Sequence, residues 1–200
     1  MFVVTEFMAN GDLRTFLRAC RPAAAKPRQA LTAGDLHGIV QKAVAAMVFL
    51  ESKHIVHRGL MAKNFLVGRD ASDIRLANLG QSRDIYVTEV YLTASQRESQ
   101  HKDSASGAGA LSSANESDQS QEMRWMAPEC LRDAEYTHKS DVWAMGVVIY
   151  EITSFARSPY GSMSTKEITM EVGLGHRLEQ PPACSDFQCV VVRFYCFFFL

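Results

Sequence analysis

The side chains best suited to chemistry lie in two short stretches. His57-Arg58-Gly59-Leu60-Met61-Ala62-Lys63-Asn64 sets an imidazole, a guanidinium, an ammonium and an amide close together, and Asn78-Leu79-Gly80 adds a second amide. Cations of this kind suit an anionic partner such as a phosphate. Each has a plainer reading as well. A lone histidine is more often a packing residue than a chemical one, and Arg58 could be a solvated surface cation. An asparagine in a turn is commonly structural.

Several elements must hold these groups in place. Phe2 to Phe7 reads as a strand ended by the turn signal Ala9-Asn10-Gly11. Asp12 opens a short helix over Leu13 to Arg18, and Pro22 to Gln29 reads as a solvated loop. Thr32 and Asp35 have capping-box spacing behind Leu31. Leu36, Ile39, Val40, Ala43, Met47 and Leu50 then recur at helical spacing. Ile55-Val56 predicts a strand running into the His57 loop, and 64–67 and 73–76 predict two more joined by Gly68 to Ser72.

From Ser95 to Gln121 the chain is polar and small, with Leu111 nearly alone as a large apolar group. Such a segment cannot bury enough surface to offset its ordering entropy, so a disordered insertion is expected. A helix opened by Ser140 or Asp141 follows, apolar almost all round from Val142 to Ile152 and therefore expected at the centre. Ser164 and Glu167 make a second capping box, opening a helix through Val172. The end, 187–200, is β-prone and nearly uncharged, an aggregation hazard if exposed.

Composition is that of a globular domain. The net charge of −1, with both signs dispersed, points to neither a nucleic-acid nor an anionic-membrane surface. Cys20, Cys130, Cys184, Cys189 and Cys196 form no CxxC pair and read as free thiols in a reducing compartment. No signal peptide is apparent, and no run reaches the ~20 apolar residues expected of a spanning helix.

The motifs now fall in an order: Thr5-Glu6-Phe7-Met8, Asn10-Gly11-Asp12-Leu13, His57-Arg58-Gly59 with Asn64, Asn78-Leu79-Gly80, Arg124-Trp125-Met126-Ala127-Pro128-Glu129, and Ser140-Asp141-Val142-Trp143. This order resembles the protein kinase family from the hinge onward, over residues 2 to 186 apart from the insertion. The Arg124 to Glu129 segment and Ala62-Lys63-Asn64 are similar to receptor-type tyrosine kinases. Gly11 to Arg18, Arg83 to Tyr86 and Glu151 to Ser154 look most like the insulin-receptor, Trk and ROS group.

The resemblance implies a fold that is mostly the helical C-terminal lobe, with a few short strands and no N-terminal lobe in the chain. Residues 1–186 would form this partial domain, and 187–200 would be a non-homologous tail. Thr5 would be the gatekeeper, Glu6, Phe7, Met8 and Gly11 the hinge against ATP, and Leu66 the floor under adenine. Gly59 stands where the family has its catalytic aspartate, flanked by Arg58 and Lys63. Asn78 stands at the magnesium aspartate and Asn64 at the second metal ligand. Arg124, Trp125, Met126 and Pro128 would shape the substrate loop, and His57, Glu129 and Asp141 would be structural. Asp141 would accept backbone hydrogen bonds from the His57 loop, and Glu129 would lack the arginine that pairs with it in the family. Tyr86 and Tyr91 are candidate phosphorylation sites, whose phosphotyrosine Arg58 could bind.

Phosphoryl transfer depends on positioning and charge stabilisation, and a general base alone is typically worth ~10²–10⁴-fold. The expected function is therefore that of an inactive pseudokinase acting by binding in receptor tyrosine kinase signalling. The alternatives are an ATP-dependent protein tyrosine kinase with residual activity and an unstable truncation product. The expected cofactors are ATP and magnesium. The expected partners are proteins, or a tyrosine kinase acting in trans, with no nucleic acid and no membrane contact by this segment. The expected location is cytoplasmic, within the cytoplasmic part of a plasma-membrane receptor where a longer parent exists.

Overall fold

A computed structural model describes residues 5–22, 27–79, 83–84 (backbone only) and 122–184. The insertion at 95–121, Tyr86, Tyr91, Gly80, Cys189, Cys196 and the tail at 187–200 lie outside the described residues.

Helix α1 spans Leu13–Ala19, and the Asp12 carboxylate accepts from the Thr15 N–H at 2.9 Å. Helix α2 spans Ala33–Ser52 behind the full Thr32/Asp35 capping box. By length and mean hydropathy α2 is long and apolar enough to cross a membrane, although Asp35, His37, Gln41 and Lys42 leave no unbroken apolar run. Its stripe Leu36, Ile39, Val40 and Ala43 nevertheless packs into the hydrophobic cluster. Strand β1 (Ile55–Val56) follows, then a 3-10 turn at Ala62–Asn64, β2 (Phe65–Val67), β3 (Ile74–Leu76) and β4 (Arg83–Asp84). β1 pairs antiparallel with β4, and β2 with β3, with Leu66 opposite Arg75. Asn64 belongs to the turn and Asp73 lies outside β3, so both strands are shorter than 64–67 and 73–76. Thr5 to Phe7, expected at the end of a strand, belong to no strand among the described residues.

After 122 come a 3-10 turn at Met123–Trp125, α3 (Pro128–Asp133), α4 (His138–Thr153) and α5 (Thr165–Gly173). Ser164 and Glu167 form the expected box on α5. Helix α4 starts earlier than expected. Thr137 is its cap, accepting from the Lys139 and Ser140 N–H groups, while the Ser140 hydroxyl accepts from the Thr137 N–H. Ser140 therefore serves as the third residue of a capping box rather than the cap, and Asp141 is free for another partner.

Helix α4 is the centre of the core. Met145, Val147, Val148, Ile149 and Ile152 are buried there among Phe16, Leu17, Ile39 and Phe65. Burying one such side chain contributes about 1.5–3 kcal/mol, which holds α1, α2 and the site loop on one helix.

Candidate functional site

The His57 loop is fixed at its entrance by α4. The Asp141 carboxylate accepts the His57 N–H at 2.6 Å and the Arg58 N–H at 2.9 Å. Burial pushes this carboxyl up to about 6, against the pull of both N–H donors and the Arg58 charge. His57 is 1% exposed. The Gly59 N–H donates to His57 Nδ1 at 3.2 Å, so the ring proton sits on Nε2, which donates to the Ala77 carbonyl at 3.1 Å. Burial lowers the imidazole pKa, keeping the ring neutral. His57 thus ties the loop to the segment leading to Asn78 and performs no visible chemistry.

Arg58 adopts the left-handed region at φ +70°, and its guanidinium lies 5.2 Å from the centroid of the Tyr136 ring. Asn64 donates to the Gly59 carbonyl at 2.6 Å and accepts from Asn78 Nδ2 at 3.2 Å. Asn78 is itself left-handed at φ +62°, a conformation asparagine tolerates better than most residues. Asn64 therefore has both ends of its amide engaged, one by the backbone and one by Asn78.

At Gly59 the surroundings are open. A Cβ there would meet Asn64 Nδ2 at 3.6 Å and His57 Nδ1 at 3.9 Å, ordinary van der Waals contacts. A Cβ at this position would be tolerated.

These residues do not fit magnesium. Asn64 and Asn78 are neutral, and the Asn64 oxygen already accepts a hydrogen bond. Among the described residues no group of three or more His, Cys, Asp and Glu is placed to hold a metal.

The hinge segment is stitched to β2. The Val67 N–H donates to the Gly11 carbonyl at 2.8 Å, and the Asn10 N–H donates to the Val67 carbonyl at 3.0 Å. Gly11 has φ +70°, which suits a residue without Cβ. Thr5, Glu6 and Phe7 are exposed, Phe7 at 88%, while Met8 and Leu66 are half-buried.

A cavity of about 180 Å³ opens beside the loop, lined by Arg58, Gly59, Met61, Glu122, Trp125 and Tyr136 among others. Lys63 pairs with Glu122 at 2.9 Å at its rim. Arg124 points away from this opening. Its guanidinium donates to the carbonyls of Pro159, Gly161 and Met163 at 2.8, 3.3 and 2.6 Å, holding the loop that leads to α5. Met126 is half-buried, and Pro128 opens α3. Glu129 is half-buried and has no ion pair among the described residues.

One residue escaped the sequence reading as a site residue. Glu151 of α4 is 1% exposed, and its Oε2 accepts both the Ala62 N–H and the Trp125 indole N–H, each at 2.8 Å. Its signal was a carboxylate inside a helix otherwise apolar all round. Among the described residues the thiols of Cys20, Cys130 and Cys184 are free and buried. Burial pushes Cys130 up to about 12, and its Sγ–H donates to the Glu135 carbonyl.

A loop anchored by a central-helix aspartate, a hinge laced to a strand pair and a tryptophan segment above a cavity together define a class. The family model of protein tyrosine and serine/threonine kinases matches residues 1–193, and the chain belongs to this family. The insulin receptor of Xenopus laevis is 36% identical over 185 residues, covering 91% of this chain and 12% of the receptor. Fibroblast growth factor receptor 1 of Xenopus laevis is 32% identical over 194 residues, covering 93% of this chain and 21% of that protein. The chain thus spans a small part of the relatives it matches, and its kinase domain is of the receptor tyrosine kinase type.

Proposed function

We propose that this domain is a pseudokinase: it keeps the scaffold of a tyrosine kinase's large lobe and works by binding rather than by phosphoryl transfer. One observation carries the reading. At the position of the proton acceptor stands Gly59, and at the metal positions stand two amides hydrogen-bonded to each other. Kinases of this family use ATP and magnesium. Here the pair Asn64 and Asn78 offers magnesium no anionic oxygen, so no metal step is assigned to it.

The partners in this reading are proteins of receptor tyrosine kinase signalling on the cytoplasmic side. A tyrosine kinase acting in trans would modify Tyr86 or Tyr91, and Arg58 would receive the phosphate. Neither nucleic acid nor a membrane surface is expected as a partner. His57, Glu129 and Asp141 serve the scaffold. Thr5 to Met8, Gly11 and Leu66 are the surfaces an adenine would meet, and Lys63, Trp125, Met126 and Pro128 border the space a peptide would enter.

A second reading, residual ATP-dependent tyrosine phosphorylation, is favoured by the undisturbed anchoring of the Gly59 loop. The two separate in a thermal-shift titration of the full chain with ATP, with and without magnesium. The pseudokinase reading expects magnesium to add nothing to any stabilisation by ATP. A stabilisation that requires both would favour the enzyme.

A further inference from the structure

Glu151 is the only carboxylate among the described residues that reaches both the site loop and the tryptophan segment. Both donors converge on one oxygen, and the residue supplying it belongs to the central helix. We propose that Glu151 is a positioning residue that clasps the Trp125 segment to the His57–Asn64 loop, and that its protonation state sets how tightly the two are held. The clasp requires no phosphate transfer, so it stands or falls separately from the function proposed above.

The geometry explains why protonation would loosen rather than break it. Oε2 takes both hydrogen bonds, so Oε1 can carry a proton while Oε2 still accepts. Hydrogen bonds to an ionised oxygen are roughly twice as strong as neutral ones. The change falls in an accessible range. Burial pushes the carboxyl up to about 7, while the two N–H donors and the charges of Arg14 and Arg18 pull it down. Those two arginines face it from α1. Lys63 and Glu122 pair with each other, and Arg124 is held by the carbonyls of Pro159, Gly161 and Met163. His57 and Asp141 sit together at the entrance of the loop. Above neutrality the clasp is tight; in mild acid it slackens, and the cavity wall between Met61 and Trp125 loosens with it.

The test is ¹H–¹⁵N NMR on the full chain over roughly pH 5 to 9, following the Ala62 amide and the Trp125 indole, with Trp143→Phe assigning the indole. Both resonances should move with one shared midpoint near neutrality, and Glu151→Gln should abolish both movements. Resonances that stay fixed, that move with different midpoints, or that still move in Glu151→Gln would overturn the proposal. The last result would assign the transition to Asp141 or His57. If Glu151→Gln does not fold, Trp125→Phe decides. Losing one donor that favours the charged form must shift the Ala62 midpoint to higher pH, and an unmoved midpoint refutes the shared clasp.

Discussion

Replacing Asp141 by alanine should destabilise the protein by an amount that shrinks as pH rises. The carboxylate is 4% exposed and accepts two backbone N–H groups. Removing it strands both donors, at about 1–3 kcal/mol each. That is the penalty when the wild-type carboxyl is protonated. Burial raises this carboxyl from 3.8 to about 6, and at 1.36 kcal/mol per unit the rise is worth about 3 kcal/mol. Because the folded value lies above the unfolded one, the native state takes up the proton first. The stability linked to it is fully present below the unfolded value of 3.8 and is lost as pH rises through about 6. The alanine variant has nothing to titrate there. Urea unfolding of both chains across this range should show the destabilisation falling by about 3 kcal/mol from acid to neutral pH. A penalty that stays constant or grows with pH would refute the view that the loop rests on a buried, desolvated carboxylate.

Two other changes have clear directions. Glu151→Gln keeps an oxygen for both donors and removes a carboxylate raised from 4.5 to about 7. By the same linkage it should stabilise the chain by up to about 3 kcal/mol above pH 7, with the gain vanishing in acid, as read by denaturant midpoints. Arg124→Ala removes charge-assisted hydrogen bonds to the Pro159, Gly161 and Met163 carbonyls. It should lower stability by about 2–3 kcal/mol and speed amide exchange of Gly161 and Met163, both of which donate within that loop; unchanged exchange would return Arg124 to a role at the substrate surface.

How much of this was legible in the sequence depended on the range of the interaction. The capping boxes at Thr32 and Ser164 were readable because cap and partner are three residues apart. The central place of α4 was readable because apolar residues surround it. Its start was misplaced because Thr137, Ser140 and Asp141 are all good caps, and the choice was made by Asp141's distant partners, His57 and Arg58. Arg124 was assigned to the substrate loop on its motif, but its guanidinium found a nest of carbonyls more than thirty residues onward in the chain. Glu151 lies in a family signature, yet the two donors meeting on its carboxyl come from segments that only the fold brings together. The kinase motifs pointed to positions 59, 64 and 78, and the structure added that Asn64 and Asn78 hydrogen-bond to each other and that a Cβ at position 59 would be tolerated.

The central claim is that chemistry was lost at Gly59 and Asn78 while the scaffold survived. It is tested most directly by incubating the purified full chain with labelled ATP, magnesium and a tyrosine-rich peptide, beside a Gly59→Asp/Asn78→Asp variant. The account predicts no transfer by the native chain. It also predicts that the double variant folds with little change in stability at position 59, where the new Cβ makes only ordinary contacts. Tyrosine phosphorylation by the native chain that persists after contaminating kinases are removed would contradict it.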